Sequence, residues 1–206
     1  SGTTMTDMAT HNIPKTPIST AAIADDSVTT AKIAPSAVGT IERNAIDANQ
    51  AIEPIAKANP QAVIMVTLYK PTAAFVRGMK KIGQNPMFMT LSPVGTEQLV
   101  QELGPDARGI GISQVMPYPW NDVVPVVREY QKLINKRGAY SYYGIEAFIT
   151  AKTMVEGLKR AGKELSRDKL SGALESMSNV DLGGYRVNYT PNNHLGSRFV
   201  ELTVIG

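Results

Sequence analysis

The stretch Asn59-Pro-Gln-Ala-Val-Ile-Met-Val-Thr-Leu-Tyr-Lys-Pro71 decides the fold class. Its central run, Ala62 to Val66, is continuously apolar and lies between turn-forming residues, which predicts a strand buried on both faces, as in a parallel sheet. Pro60 ends any helix that precedes this strand, and Pro71 suits the first turn of a helix that follows it. A strand between two helices in so short a stretch favours a layered α/β fold.

Segments on both sides of this stretch continue the alternation of strands and helices. Upstream, Ala37–Glu42 is a strand candidate, and Asp47 can cap a helix that ends near Asn59. Downstream, the pattern predicts a helix from Pro71 to Gly83, a strand over Met87–Leu91, a helix over Thr96–Leu103 and a strand over Ile110–Met116. This order predicts a parallel, Rossmann-like sheet with flanking helices.

The C-terminal part is predicted to hold helices first and strands last. Apolar stripes at helical spacing predict helices over residues 122–137 and 143–161, and Ser166 can cap a third helix. Apolar and polar residues then alternate in Tyr185–Tyr189 and again in Val200–Val204. Because a turn sequence lies between these two segments, we expect them to pair as a closing antiparallel hairpin.

The N-terminal segment has a different residue pattern, in which isolated apolar residues lie among Ser, Thr and Ala. Five of them recur at a spacing of five, which is the period of neither a helix nor a strand. One interpretation is a short pentad solenoid or a fibre-like stalk; the other is a loop and linker with chance spacing. The residues of this pentad series are Ile18, Ile23, Val28, Ile33 and Val38.

Composition and motifs argue against several functional classes. The 21 basic and 18 acidic residues are spread along the chain, which is not typical of a nucleic-acid-binding surface. No cysteine is present, and His11 and His194, the only histidines, lie in unlike contexts, so no shared metal site is expected. No nucleophile elbow or phosphate-binding loop occurs. We therefore expect neither an enzyme nor a bound metal or cofactor.

Several runs, taken in order, carry a family resemblance. They resemble the periplasmic solute-binding proteins of the branched-chain amino-acid-binding type (type I) that serve ABC transporters, over about Ala37 to Gly206. The runs are ERNAIDANQAIEPIAKANPQAVIMV (42–66), YKPTAAFVRGMKKIGQNPMFM (69–89), VGTEQLVQELG (94–104), GIGISQVMPYPW (109–120), YSYYGIEAFITAKTMVEGLKRAG (140–162), DLGGYRVNYTPNNHLGS (181–197) and ELTVI (201–205).

The resemblance implies two α/β lobes joined by a hinge, with a small polar ligand held in the cleft. In these terms residues 37–109 resemble a second-lobe α/β unit, and residues 110–177 the hinge strand with first-lobe helices. Residues 178–206 resemble the return to the second lobe, and residues 1–36 remain a segment of uncertain structure. The earlier part of the first lobe has no counterpart, so we expect a chain truncated at its N-terminal lobe.

The predicted ligand site lies at the ends of strands. Ligands of open parallel sheets bind outside the carboxyl ends of the strands, and a helix N-terminus there offers free N–H groups. Thr67, Leu68 and Tyr69 follow the first strand, Ser92 follows the second, and Gln114 and Tyr118 belong to the hinge strand end. The resemblance implies that Tyr69 is a pocket tyrosine; the alternative is a surface tyrosine at a strand end.

Ser92 departs from the family pattern. Amino-acid-binding members often carry an acidic residue at its position, where it pairs with the ligand ammonium, and serine cannot supply that charge. An α-amino acid ligand is therefore less favoured, and a carboxylate, an amide or an aromatic acid remains open. Tyr118 is predicted to form part of an aromatic wall near the hinge.

Two functional hypotheses follow. The first is a non-enzymatic, periplasmic or extracellular receptor that captures a small polar ligand, such as an amino acid or an organic or aromatic acid, for ABC transporter membrane subunits. The second is a structural or assembly protein that uses the N-terminal pentads and exposed helices for oligomerisation. Because the stripes of helices 122–137 and 143–161 need a cover, we also expect a second copy, a missing-lobe partner or the N-terminal segment to lie on them.

Overall fold

The computed structural model describes residues 38–42, 45–135 and 138–206. The chain divides into two compact units. The first unit contains the described residues up to Ser113 together with Leu202–Gly206, and the second contains Gln114–Glu201. The predictions for residues 1–36, including all of the pentad series except Val38, lie outside the described residues.

Six helices and six strands form the regular structure of the described residues. The helices are α1 (Asn49–Ala58), α2 (Tyr69–Lys81), α3 (Thr96–Leu103), α4 (Pro125–Ile134), α5 (Tyr142–Ala161) and α6 (Arg167–Glu175). The strands are β1 (Ala62–Met65), β2 (Met87–Leu91), β3 (Gly111–Gln114), β4 (Val180–Asp181), β5 (Arg186–Val187) and β6 (Glu201–Val204). The predicted strand over Met87–Leu91 and helix over Thr96–Leu103 are confirmed to the residue, whereas residues 38–42 form no strand.

The sheet of the first unit is mostly parallel, as predicted. Its strand order is β1-β2-β3-β6, with β1 parallel to β2 and β2 parallel to β3. The last strand runs against β3, because Ile205 exchanges backbone hydrogen bonds with Gly109 and Ile110 while Thr203 donates to the carbonyl of Ile112. The α/β class with a Rossmann-like parallel sheet and flanking helices is therefore confirmed.

The helices of the first unit cover one face of this sheet. Phe88 of β2 and Ile112 of β3 are buried there among side chains of α2 and α3, such as Met79 and Leu99. The other face is exposed within the described residues: Ile64 of β1 is 72% exposed. The prediction that β1 is buried on both faces is therefore wrong, because no described element packs on its second face.

The second unit packs three helices against a short hairpin. Its core joins Val127 and Tyr130 of α4 and Ile145 of α5 to Leu182 and Val187 of the hairpin. This cluster covers part of the stripes for which we expected an external cover, since Val127 is fully buried. Other members of the stripes stay exposed on the described part of the chain: Val123, Ala151, Val155 and Leu158.

The antiparallel hairpin forms, but between other strands than predicted. β5 pairs with β4, whereas β6 joins the sheet of the first unit. The turn of the hairpin is Leu182–Tyr185, and the Asp181 carboxylate just before it accepts the N–H groups of Gly183 (2.9 Å) and Gly184 (2.6 Å). Both glycines have positive φ, at +102° and +86°, which other residues adopt at a cost. The predicted pairing of Tyr185–Tyr189 with Val200–Val204 is therefore wrong.

Candidate functional site

A cavity of about 480 Å³ lies at the carboxyl ends of β1 and β2, in the first unit. This is the edge of a parallel sheet at which ligands bind in open α/β folds. Its walls are mainly apolar, with one hydroxyl and one carboxylate. The lining residues are Ile41, Glu42, Val66, Thr67, Leu68, Leu91, Pro93 and Val94.

The local sequence holds Thr67 and Leu68 at this place. The Thr90 hydroxyl of β2 donates a buried hydrogen bond to the Met65 carbonyl (3.0 Å), which ties the end of β1 to its neighbour. The first bond of α2 follows at once, from the Thr72 N–H to the Leu68 carbonyl (3.1 Å). The chain therefore passes from strand to helix through only three residues, and both cavity residues lie in this passage.

The N-terminus of α2 has no side-chain cap. Leu68 occupies the cap position in an extended conformation and its side chain makes no capping hydrogen bond. The first N–H groups of a helix have no partner within the helix and carry a partial positive charge. Because Leu68 also lines the cavity, the first turn of α2 offers the cavity a site for a ligand oxygen.

Ion pairs tie α2 to the segment that follows β2. Arg77 pairs with Glu102 of α3 (3.2 Å), and Lys80 pairs with Asp106 just beyond α3 (3.0 Å). Exposed pairs of this kind contribute roughly 0–1 kcal/mol each, so they orient α2 more than they stabilise it. The buried contacts of Val76 and Met79 in the core carry the larger share of the packing.

Two of the four predicted site residues in the first unit line the cavity, and the other two do not. Thr67 and Leu68 line the cavity together. Tyr69 begins α2 and packs against the core, with the Lys70 ammonium 6.0 Å from its ring centroid. Ser92 begins a 3-10 turn (Ser92–Val94) beside the cavity, and its neighbours Leu91 and Pro93, but not Ser92, are among the lining residues.

Gln114 and Tyr118 belong to the second unit. Gln114 ends β3 with a buried side chain. Tyr118 lies in an aromatic cluster, with ring centroids 5.0 Å from Trp120 and 6.4 Å from Tyr142. Burial raises the pKa of the Tyr118 hydroxyl, and the nearby Glu201 carboxylate raises it further. Tyr118, Trp120 and Tyr142 thus form a packed cluster of three rings, and the role of Tyr118 as a wall of a ligand site stays a prediction.

Glu201 is a half-buried carboxyl group within this second unit. Burial raises the pKa of its carboxyl, and a hydrogen bond from the Tyr118 backbone N–H opposes that shift in part. The carboxylate therefore pays a desolvation cost that a single N–H donor does not cancel. The sequence pattern gave no signal for it, because Glu201 occupies an ordinary polar position in an alternating strand.

Sequence reasoning also missed Glu42. It is the one carboxylate among the cavity's lining residues. It lies seven residues before α1, in a segment predicted as a strand. No periodicity or motif marks it, and only the folded chain brings it beside Thr67. A ligand ammonium would find its counter-charge here, at a residue other than Ser92.

A larger groove of about 760 Å³ lies within the second unit, and none of the predicted residues lines it. Its walls come from residues 115–116, α5, α6 and residues 185–197, and they include the contact between the His194 ring nitrogen Nε2 and the Glu175 carboxylate (3.1 Å). None of the residues that line this groove is the first residue of a helix. We therefore take the smaller cavity as the candidate site, because it combines apolar walls with polar groups at strand ends.

Metal-binding clusters and membrane-spanning helices are both absent from the described residues. These residues contain no group of three or more His, Asp or Glu side chains placed to hold a metal ion. None of their helices combines the length and the apolar character needed to cross a membrane.

Comparisons with known proteins agree with the α/β fold. A family model described as periplasmic binding protein matches residues 15–205. Among solved structures, the chain is similar to a possible leucine/isoleucine/valine-binding protein from Rhodopirellula baltica SH 1, with 30% identity, a TM-score of 0.77 and coverage of 82% of this chain and 47% of that one. A comparison with curated proteins gave no match.

Two further structures extend the similarity. One is a substrate-binding periplasmic protein from Ralstonia solanacearum, with 30% identity, a TM-score of 0.72 and coverage of 80% of this chain and 48% of that one. The other is an extracellular ligand-binding receptor from Verminephrobacter eiseniae, with 30% identity, a TM-score of 0.68 and coverage of 76% and 45%. The chain spans about half the length of these structures. It belongs to the periplasmic binding protein family, of the type that the sequence resembled.

Proposed function

We propose that this chain forms part of a periplasmic receptor that captures a small solute and delivers it, unchanged, to the membrane subunits of an ABC transporter. The solute is an amino acid or an organic or aromatic acid. Membership of the family supports this proposal, as does the name of the Rhodopirellula relative, which refers to leucine, isoleucine and valine. The comparisons give no support to the alternative of a structural or assembly protein.

One observation carries the proposal: a cavity with apolar walls meets the uncapped start of α2 at the carboxyl ends of β1 and β2. The apolar walls suit an aliphatic or aromatic group, and the first-turn N–H groups together with the Thr67 hydroxyl suit a carboxylate. Glu42 suits an ammonium. Apolar walls, a carboxylate site and Glu42 together suit an apolar amino acid. If Glu42 takes no part, the same cavity suits an apolar carboxylic acid.

In this proposal the predicted site residues keep different roles. Thr67, Leu68 and the N-terminus of α2 hold the ligand directly. Tyr69 and Ser92 shape the two strand ends from beside the cavity. Gln114 and Tyr118 stay candidate ligand residues of the second unit.

Ligand-dependent stabilisation tests the proposal. Thermal unfolding of the 206-residue chain is followed with L-leucine, L-phenylalanine, benzoate and butyrate. A ligand that binds only the folded state raises the unfolding temperature in a saturable manner. We expect L-leucine or L-phenylalanine to stabilise most if Glu42 pairs with the ammonium, and the two carboxylic acids to stabilise as well if it does not.

A matched pair of variants locates the site. Thr67→Val keeps the shape of the side chain and removes its hydroxyl, and loss of one hydrogen bond, worth about 1 kcal/mol, should weaken binding by roughly 5-fold. Thr150→Val, on an exposed position of α5, makes the same chemical change and should leave binding as it is. No stabilisation by any of the four probes, or equal binding by the two variants, would contradict the proposal.

A further inference from the structure

The two strands that border the cavity separate at one pair of residues. β1 and β2 pair in parallel, and their last pair is Met65 opposite Thr90. Beyond this pair the chain after β1 turns into α2, whereas β2 continues beside β3. Most of the residues that line the cavity belong to the two segments that leave the pair. We call residues 66–68 the first wall and residues 91–94 the second wall.

A side-chain hydrogen bond closes this last pair. The Thr90 hydroxyl donates to the Met65 carbonyl (3.0 Å), and the side chain of Thr90 is buried. Thr90 is the one polar residue in β2, whose sequence is Met-Phe-Met-Thr-Leu. Valine would fill the same volume and suit a strand equally well, with no polar group to satisfy in the core. The hydroxyl therefore adds a bond to Met65 that packing alone does not need.

Each wall is also held at its far end. The first wall ends at Leu68, whose carbonyl accepts the Thr72 N–H of α2 (3.1 Å). The second wall is a short 3-10 turn that begins at Ser92, and its last residue, Val94, is buried in the core. Because both walls are short and anchored, the distance between them depends on where they start, at the Met65–Thr90 pair.

We propose that Thr90 is a positioning residue that sets the width of the cavity and so its selectivity for the width of the ligand's apolar group. Thr90 is not among the lining residues and acts through the Met65 carbonyl. β1 has a single neighbour, β2, in the described sheet, so the bond from Thr90 restrains an end that other strands do not hold. This inference rests on the proposed function, because width matters only if the cavity holds a ligand.

Calorimetric titration with two pairs of probes tests this role. Butyrate and benzoate share a carboxylate and differ in width, and L-leucine and L-phenylalanine differ in the same way. We expect the unaltered chain to discriminate within each pair. Thr90→Val removes the hydroxyl and lets the walls move apart, so the ratio of affinities within a pair should change by roughly 5-fold, the equivalent of about 1 kcal/mol. Thr90→Ser keeps the hydroxyl and should restore most of the selectivity.

Thr153→Val is the matched control for a purely structural effect. The Thr153 hydroxyl is also buried and donates to a backbone carbonyl, that of Ile149 in α5 of the second unit (2.9 Å). Both valine variants lose one buried hydrogen bond, so each should unfold at a temperature lower by roughly 2–4 °C. Selectivity should change in Thr90→Val alone, which separates positioning from stability.

The hydroxyl proton of Thr90 gives a readout that needs no variant. Because it is buried and bonded, it should exchange slowly enough to appear in NMR spectra of the unaltered chain. Free exchange of this proton, unchanged selectivity in Thr90→Val, no rescue by Thr90→Ser, or an equal change in Thr153→Val would each overturn the inference and leave the proposed function standing. An unaltered chain that binds none of the four probes would overturn the proposed function, and the role of Thr90 with it.

Discussion

The two units relate chain order to structure in different ways. In the first unit, β1 and β2 are consecutive strands that pair in parallel, and the helix between them packs on the sheet they form. β6 is the exception, because the Thr203 hydroxyl of β6 reaches the Ile112 carbonyl of β3 across 91 residues of sequence. The second unit is built mainly from helices, and its one hairpin closes over a turn of four residues. The order of strands along the chain therefore predicts which strands pair only where the two partners are consecutive strands.

Helix capping also differs between the two units: α5 and α6 of the second unit have side-chain caps, whereas α4 and the three helices of the first unit have none. In the second unit, the Ser141 hydroxyl accepts the Gly144 N–H (2.9 Å) and the Ser166 hydroxyl accepts the Lys169 N–H (3.2 Å). In the first unit, α2 begins at Leu68 without a cap. A missing cap costs about 1 kcal/mol of helix stability. α1, α3 and α4 also begin without a side-chain cap, but α2 is the helix whose cap residue, Leu68, lines the cavity, where a ligand would use the free N–H groups.

The largest expected effect comes from the two cores. Ile112 of the first unit and Ile145 of the second are both fully buried, and Ile→Ala at either position should lower the free energy of unfolding by about 2–5 kcal/mol. Ile64→Ala is the control in the same sheet and should cost less than about 0.5 kcal/mol, since the side chain is exposed. Urea unfolding measures all three. A cost below about 1 kcal/mol at one of the buried positions would contradict the claim that both units have a well-packed core.

The capping difference predicts opposite signs in the two units. Ser141→Ala removes the cap of α5 and should destabilise the protein by about 1 kcal/mol. Leu68→Ser supplies a cap hydroxyl at an extended position and should stabilise α2 by about 0.5 kcal/mol while weakening ligand binding, because the hydroxyl competes for the N–H groups. Unfolding and ligand-shift experiments on both variants check this. Tighter binding by Leu68→Ser would show that the free helix start has no part in the site.

The smallest expected effects are two pH responses of opposite sign within the second unit. Burial raises the pKa of the Glu201 carboxyl, so the folded state keeps a proton that the unfolded state has lost, and stability falls as pH rises through this window. Glu201→Gln removes that cost, and its advantage over the unaltered chain should therefore grow from acid to neutral pH.

Asp181 behaves in the reverse way. Backbone hydrogen bonds from Gly184 and Gly183 lower the pKa of its carboxyl. Its contribution to stability is present above the ordinary aspartate pKa and is lost as pH falls through the lowered value. Asp181→Asn should therefore be less stable than the unaltered chain at neutral pH, with the gap closing in acid. Parallel curves for the two carboxyl variants would contradict both assignments.

The sequence predicts where the helices and strands of this fold lie better than it predicts which of them pair or pack together. The run Ala62–Val66 and the prolines around it suffice to place β1 and the start of α2, because apolar periodicity and proline geometry act locally. The glycines at 183 and 184 mark the true hairpin turn, yet the longer turn sequence before Gly196 competes with them. Burial of β1 could not be predicted from the run itself, since it depends on which elements pack on its second face.

The candidate site shows the same limit. Thr67 and Leu68 could be predicted because a ligand site at strand ends follows from the parallel sheet alone. Glu42 could not, because its place in the cavity depends on an irregular segment far from β1 in sequence. Ser92 was predicted from the family pattern and lies beside the cavity, where its exact direction depends on the 3-10 turn that it begins.

An NMR titration of the 206-residue chain with L-leucine and with benzoate tests the central claim most directly. We expect saturable shifts in the amides of residues 66–70 and 91–94, at the carboxyl ends of β1 and β2, with α2 shifting at its first turn. Amides around Met154 and Tyr189, in the larger groove of the second unit, should not move. Saturable shifts confined to that groove, with none at residues 66–70, would contradict the assignment of the site.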